Sequence, residues 1–221
     1  MTDVKRPYDG SNRRARAEQV RELLLDTARQ MLLEDGYSAT TIPALADACG
    51  VSAESVYKRF PGKKALVRAV VERALRGAGP VAAETRSDAL AADDPHALVR
   101  GWGRLAAEVA PRVAPILLLV HAAALTDPDL TQLERDLDED RRRRMSDNAR
   151  RLAEAGHLPA DLSVERAGDI LWTYSSPQLY DLLVQRSGWT ADQYAAFITA
   201  GIAAHLIADK GPGTAPAPRS V

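Results

Sequence analysis

Between Cys49 and Phe60 the chain reads CGVSAESVYKRF. One short segment holds a glycine, small polar residues, a carboxylate and an aromatic followed by lysine and arginine. An apolar core has no use for that mixture, but a surface lying against phosphates and base edges does. Ala53 and Ser55 are small enough for close approach, and the carboxylate of Glu54 can accept from a cytosine amino group in a major groove. Tyr57 and Lys58, one helical turn on, carry a hydroxyl and an ammonium suited to phosphate oxygens. Lys63 opens the next helical pattern, where charge and backbone N–H groups can grip a phosphate together, and Thr41 stands at the start of the preceding one. Each residue also has an ordinary reading. Tyr57 can pack at a helix surface, Lys58 and Arg59 can be solvated charges, and Glu54 can complement the helix dipole, worth about 0.3–1 kcal/mol. In combination they point to double-stranded DNA, entered by a helix whose N-terminal end meets the bases.

Two short helices must position these groups. In TTIPALADACG, Thr41 is the predicted N-cap, Pro43 sits in the first turn where its missing N–H costs little, and Ile42, Leu45 and Ala46 share a face. Gly50 supplies the positive φ of a sharp turn, and Ser52 caps a second helix that turns Val56 and Phe60 inward. Pro61-Gly62 stops that helix, and KKALVRAVVERAL starts another near Lys63. The arrangement is a helix-turn-helix. Upstream, Val20, Leu23, Leu24, Thr27, Ala28, Met31 and Leu32 follow the spacing of one buried helical face, closed by Gly36.

Further helices are predicted over 81–92, 95–110, 113–125, 128–155, 163–186 and 190–208, divided by prolines and glycines. The domains expected are a disordered arm over 1–12, a helix-turn-helix domain over 13–76, a larger helical domain over 77–210 and a disordered tail over 211–221. With 46% apolar but only 5% aromatic residues, the 221-residue chain is expected to be all-α, its core built of Leu, Ala, Val and Ile.

Net charge is −1, yet its distribution is uneven. Residues 1–76 hold 14 Lys and Arg against 10 Asp and Glu, whereas residues 77–221 hold 15 against 20. A basic, polyanion-facing unit joined to an acidic one fits this asymmetry. A single cysteine, Cys49, leaves no internal disulfide, no secretory signal is evident, and the apolar run 113–125 falls short of the roughly 20 residues of a membrane span. A cytoplasmic protein with no membrane partner is expected.

The run TTIPALADACGVSAESVYKRFPGKKALVRAV resembles the DNA-binding domain of the TetR family of bacterial transcriptional regulators. The doubled threonine, the Ala-x-x-x-Gly-Val-Ser turn, the x-x-Val-Tyr-x-x-Phe helix and the following Lys-x-x-Leu carry the likeness, over roughly residues 16–76. Glu54 departs from it, since many members have a smaller residue there. The resemblance implies an all-helical homodimer with a small N-terminal DNA-binding domain, made of three helices, and a larger C-terminal domain for ligand and dimerisation. It also implies an inverted-repeat operator and repression released by a small-molecule effector, with ligand-dependent activation as the alternative. The expected DNA-facing set is Thr41, Ser52, Ala53, Glu54, Ser55, Tyr57, Lys58 and Lys63.

For the dimer, the last helix places Phe197, Gly201 and Ala204 on one stripe, where the small residues would let another helix approach, and helix 163–186 offers Leu179 and Leu183. The same stripe can instead be intramolecular core. For the effector, Arg141, Arg144 and Asn148 fall on the inward stripe of Leu130, Leu133, Leu137 and Ala155. Either the arginine stems reach out to water, or a cavity lies there that would favour an anionic or carbonyl-bearing molecule. Trp102, between two glycines, and Trp172 and Ser176, beside the helix-kinking Pro177, are further candidate wall residues. His121 is a candidate too, although a satisfied core histidine is the commoner case. An enzyme would need a catalytic constellation, and no zinc spacing, nucleophile elbow or phosphate-binding glycine loop occurs, so neither catalysis nor a cofactor is expected.

Overall fold

The computed structural model describes residues 10–208, and among them every regular element is a helix. Helix α1 spans Gly10–Glu34, so Gly10–Asn12, expected in a disordered arm, are already helical, while residues 1–9 and the tail 211–221 lie outside the described residues. α1 buries Leu24, Leu25, Ala28 and Leu32. Leu23 was expected to face inward but is 47% exposed. Three consecutive leucines satisfy two helical phases equally, and packing selected the phase that buries Leu25. A single turn, α2 (Gly36–Ala39), follows and begins on Gly36 at φ +82, a left-handed conformation that glycine adopts without strain.

α3 (Ile42–Ala48), α4 (Ala53–Arg59) and α5 (Lys63–Leu75) come next. α4 turns Val56 and Phe60 inward, and α5 contributes Leu66, Val67, Val70, Val71 and Ala74, each large aliphatic stabilising by about 1.5–3 kcal/mol when fully buried. Arg73 ties α5 to α1 with bonds of 2.5 Å to Glu22 and 2.6 Å to Asp26.

The chain divides into two compact units. One is the stretch up to Ala82 together with Pro111–Asp136, and the other is Ala83–Ala110 with the chain from Leu137 onward. Sequence patterning placed a boundary at residue 76 because it follows local composition. The later segment joins the first unit through packing and through an Arg68–Asp136 ion pair of 3.1 Å.

The remaining helices are α6 (Ala83–Asp88), α7 (Pro95–Ala124), α8 (Pro128–Glu154), α9 (Val164–Tyr174), α10 (Pro177–Tyr180) and α11 (Ala191–Leu206), with a π-helical turn over Asp181–Arg186. α6 is shorter than the 81–92 segment expected. α7 runs unbroken through Pro111 and Pro115, correcting the expected break between 110 and 113. A proline removes one backbone bond from a helix, and here buried Val113, Ala114, Ile116 and Val120 hold the segment helical in spite of that loss. By length and composition α7 could cross a membrane, but Arg100, Arg104, Glu108 and Arg112 recur every fourth residue along one side. That makes it an amphipathic helix. The expected helix 163–186 is broken at Ser175 and Ser176, ahead of Pro177, where the preceding residue is driven out of helical geometry. Ala155, expected inward on α8, is exposed, and Ala149 and Leu152 take its place in the core.

Candidate functional site

The turn between α3 and α4 is closed by two backbone bonds, Val51 N–H to the Ala46 carbonyl at 3.0 Å and Gly50 N–H to the Asp47 carbonyl at 3.2 Å. This pairing satisfies the last carbonyls of α3 and requires a residue with positive φ, here Gly50 at +65. Ser52 then caps α4, its Oγ accepting from the Ser55 N–H at 3.2 Å and lying 2.9 Å from the Ser55 hydroxyl. Thr41 caps α3 in the same way, accepting from Ala44 N–H at 3.2 Å. Both hydroxyls named as candidate DNA contacts are thus committed to fixing helix starts, which leaves their helices' other N–H groups for a ligand.

With Val56 and Phe60 buried, α4 presents its opposite side outward. Glu54, Tyr57, Lys58 and Arg59 are exposed, Tyr57 by 50%, and Ala53 and Ser55 are half-buried between them. The carboxylate stands in the first turn and the two cations in the last, the order that the helix dipole favours. Arg59 turns back to donate to the Ser55 carbonyl at 3.0 Å, whereas Tyr57 and Lys58 project one turn beyond Glu54.

Lys63 is placed differently from expectation. Its ammonium donates to the Tyr37 carbonyl, lies 3.5 Å from the Ser38 carbonyl and sits 3.7 Å from the centre of the Tyr37 ring. The side chain closes the C-terminal end of α2 and is turned toward it. Burial lowers the Lys63 pKa, partly offset by Asp127, and burial followed by Asp127 and Asp129 raises that of Tyr37. Tyr37 escaped the sequence reading because it lies in a turn with no periodicity, and Thr40 escaped it for the same reason. The Thr40 side chain is buried, and its hydroxyl donates to the Gly36 carbonyl at 2.9 Å.

The candidate effector residues fall into separate groups. Arg141 donates to the Trp172 carbonyl at 2.5 Å, to Ser175 Oγ at 3.0 Å and to Asp138 at 2.5 Å, and lies 4.9 Å from the Trp172 ring centre. The Trp172 indole donates to the same Asp138 at 3.2 Å, so these side chains close the C-terminus of α9 as one network. Arg144 binds Asp88 at 2.7 Å on α6. Ser176 caps α10, accepting from Leu179 N–H at 3.3 Å. His121 is exposed on the other compact unit, 2.5 Å from Glu134, and so is no core histidine. Trp102 and Asn148 are buried in the second unit, and Trp102 Nε1 and Asn148 Oδ1 have no hydrogen-bond partner.

α11 sorts its residues onto two sides. Tyr194, Ile198, Ile202 and Leu206 are buried, while Phe197 and Ala204 are exposed and Leu179 and Leu183 are half-buried on neighbouring segments. Phe197 makes edge contacts with Tyr174 and Trp189, at 6.1 and 5.8 Å between ring centres. At Gly201 the space expected for a partner helix is filled from within, since a Cβ there would lie 2.4 Å from the Tyr174 ring and hydroxyl. No group of His, Cys, Asp and Glu among the described residues is arranged to hold a metal ion.

Residues 24–70 match the family model described as bacterial regulatory proteins, tetR family. The HTH-type transcriptional regulator YvkB of Bacillus subtilis is 32% identical over 65 residues, 29% of this chain and 34% of YvkB. The chain thus spans about a third of the length of that curated relative. Among solved structures, the SmeT–triclosan complex superimposes with a TM-score of 0.68 at 21% identity, over 92% of this chain and 100% of that one. NalD, the secondary repressor of the MexAB-OprM multidrug efflux pump in Pseudomonas aeruginosa, gives a TM-score of 0.66 at 19% identity, over 89% and 100%. At these identities the structural likenesses establish the fold: an N-terminal helix-turn-helix followed by a larger helical domain.

Proposed function

We propose, from the premise that this chain carries the helix-turn-helix domain of the TetR family of bacterial regulatory proteins, that it is a homodimeric transcriptional repressor released from its operator by a small molecule. The observation that carries this reading is α4: capped at Ser52, anchored by Val56 and Phe60, it turns Glu54, Tyr57 and Lys58 outward together. Two such helices in a dimer, about 34–36 Å apart, suit successive major grooves of an inverted repeat. Glu54 reads a base edge, and Tyr57, Lys58 and the helix N-termini hold phosphates. Phe197, Ala204, Leu179 and Leu183 supply the dimer surface. A ligand in the C-terminal helical domain lowers DNA affinity to the extent that it prefers the released state, typically by about 1–3 kcal/mol. SmeT, which forms a complex with triclosan, and NalD, a repressor, support this reading by analogy of fold.

The test is fluorescence anisotropy on a labelled fragment of the DNA flanking the gene, titrated at several salt concentrations. A regulator gripping Z phosphates loses affinity with a log–log slope of about −0.9Z. Absence of binding at every salt concentration contradicts the reading.

A further inference from the structure

Lys64 and Arg68 stand four positions apart on α5, beside the apolar face made by Leu66, Val67, Val70 and Val71. Both act on one carboxylate, that of Asp136 on α8, which belongs to the same compact unit. Each oxygen of that carboxylate has a partner. Oδ2 accepts from Arg68 at 3.1 Å, and Oδ1 accepts from the Gln132 amide, one turn earlier on α8, at 2.7 Å. Gln132 thus fixes the rotation of the carboxylate that Arg68 meets. The Gln132 bond, with Arg68 and Lys64 adding to it against desolvation, holds the Asp136 carboxyl below its ordinary range. The α7–α8 turn acts on α5 at a second point, since Asp127 favours the charged form of Lys63.

Cohesion does not need this pair. The side chains of Arg68 and Asp136 are 33% and 35% exposed, and ion pairs so open to water add little to stability. Leu130 and Leu133 of α8 are already fully buried in the unit. Burial of apolar surface has no direction, however, whereas a guanidinium bonded to a carboxylate of fixed rotation sets where one helix lies on another. Asp136 is also the last residue of α8 in this unit. The helix continues unbroken to Glu154, and its residues from Leu137 onward belong to the second unit, which carries the proposed dimer surface. On an inverted repeat, the two α4 helices of a dimer must match the spacing of the half-sites. The seat of α5 on α8 bears on that spacing.

We propose that Arg68 and Asp136 are a positioning pair, which seats α5 on α8 so that the two α4 helices of a dimer reach both half-sites together. This rests on the reading of the chain as a dimeric DNA-binding regulator. The pair acts without touching DNA, and that gives it a signature opposite to the effect of charge. Removing a carboxylate from a protein that binds a polyanion favours binding when charge alone decides. Removing Asp136 weakens binding when its contact with Arg68 decides.

The experiment uses the full-length protein, the variants Asp136→Asn and Asp136→Lys, and the charge swap Arg68→Glu with Asp136→Lys. Affinities are measured for two labelled duplexes: an inverted repeat selected from random DNA by the wild type, and the same duplex with one half-site scrambled. On the inverted repeat, Asp136→Asn is expected to bind about 5-fold more weakly than the wild type and Asp136→Lys more weakly still, although both carry more positive charge. The swap restores the net charge and the pair, and is expected to return to within about 3-fold of the wild type. On the single half-site, the two single variants are expected to bind at least as tightly as the wild type. Melting temperatures are expected to stay close to that of the wild type. Equal or tighter binding of the inverted repeat by both single variants, an equal loss on both duplexes, or no recovery in the swap overturns the proposal. In each of those cases the wild type still binds DNA and the regulator stands. A wild type that binds no duplex at any salt concentration instead removes the DNA-binding reading, and this pair with it.

Discussion

The ammonium of Lys63, at the first position of α5, sits 3.7 Å from the centre of the Tyr37 ring and donates to the Tyr37 carbonyl. A residue whose position suggested a phosphate contact thus also ties the start of α5 to α2. Lys63→Ala is expected to destabilise the protein by about 1–2 kcal/mol, with a moderate loss of DNA affinity and little change in its salt dependence. Lys58→Ala is expected to do the reverse, leaving the melting temperature unchanged and reducing the salt slope by about one. Melting curves and salt titrations of the two variants separate these roles.

Glu54 and Tyr57 are one turn apart on the exposed side of α4, and their substitutions are expected to differ in kind. Tyr57→Phe removes one phosphate-directed hydroxyl and weakens binding to all sequences, roughly 2- to 10-fold. Glu54→Ala changes the ranking of operator variants more than the mean affinity, relaxing the preference at one base pair by about 1–3 kcal/mol. Affinities across a set of single-base operator variants distinguish them, and a uniform loss for Glu54→Ala would remove it from base reading.

How much of this was legible in the sequence varies along the chain. The α3–α4 unit was readable almost residue by residue, because Thr41, Pro43, Gly50 and Ser52 act through local chemistry: caps, a first-turn proline and a positive-φ turn. The contact of Lys63 with Tyr37 was not legible, because its partner lies 26 residues away, in a turn without pattern. The arginines of α8 were correctly phased, since Arg141 and Arg144 do turn inward. Their partners at Asp138, Trp172 and Asp88 are tertiary, so the sequence could not distinguish a ligand site from a cap. Pro111 and Pro115 misled because a local helix penalty was outweighed by packing along α7.

Gly201 and Tyr174 give a test of packing within the second unit. Gly201→Ala is expected to destabilise by about 1–3 kcal/mol, because the added carbon meets a ring with little room to move. Tyr174→Leu in the same chain is expected to recover part of the loss, so the two changes are less than additive in denaturant unfolding. Full additivity would mean that the two side chains do not meet.

Tyr194 offers a pH signature. Burial, with a smaller contribution from Tyr180, pushes its pKa up to about 12, above the ordinary value of 10.0. The folded state therefore keeps its proton where the unfolded chain has lost it, so stability from this group is complete below pH 10 and declines as pH rises toward about 12. Tyr194→Phe is expected to flatten the fall in melting temperature across that window. Identical alkaline profiles for the two proteins would contradict the assignment.

The most direct test of the central claim is selection of bound sequences from random duplex DNA with the purified full-length protein. Enrichment of an inverted repeat, with half-sites about one helical turn apart, is the expected result. Recovery of no sequence preference by protein that is folded and dimeric would contradict the assignment of α4 as a base-reading helix.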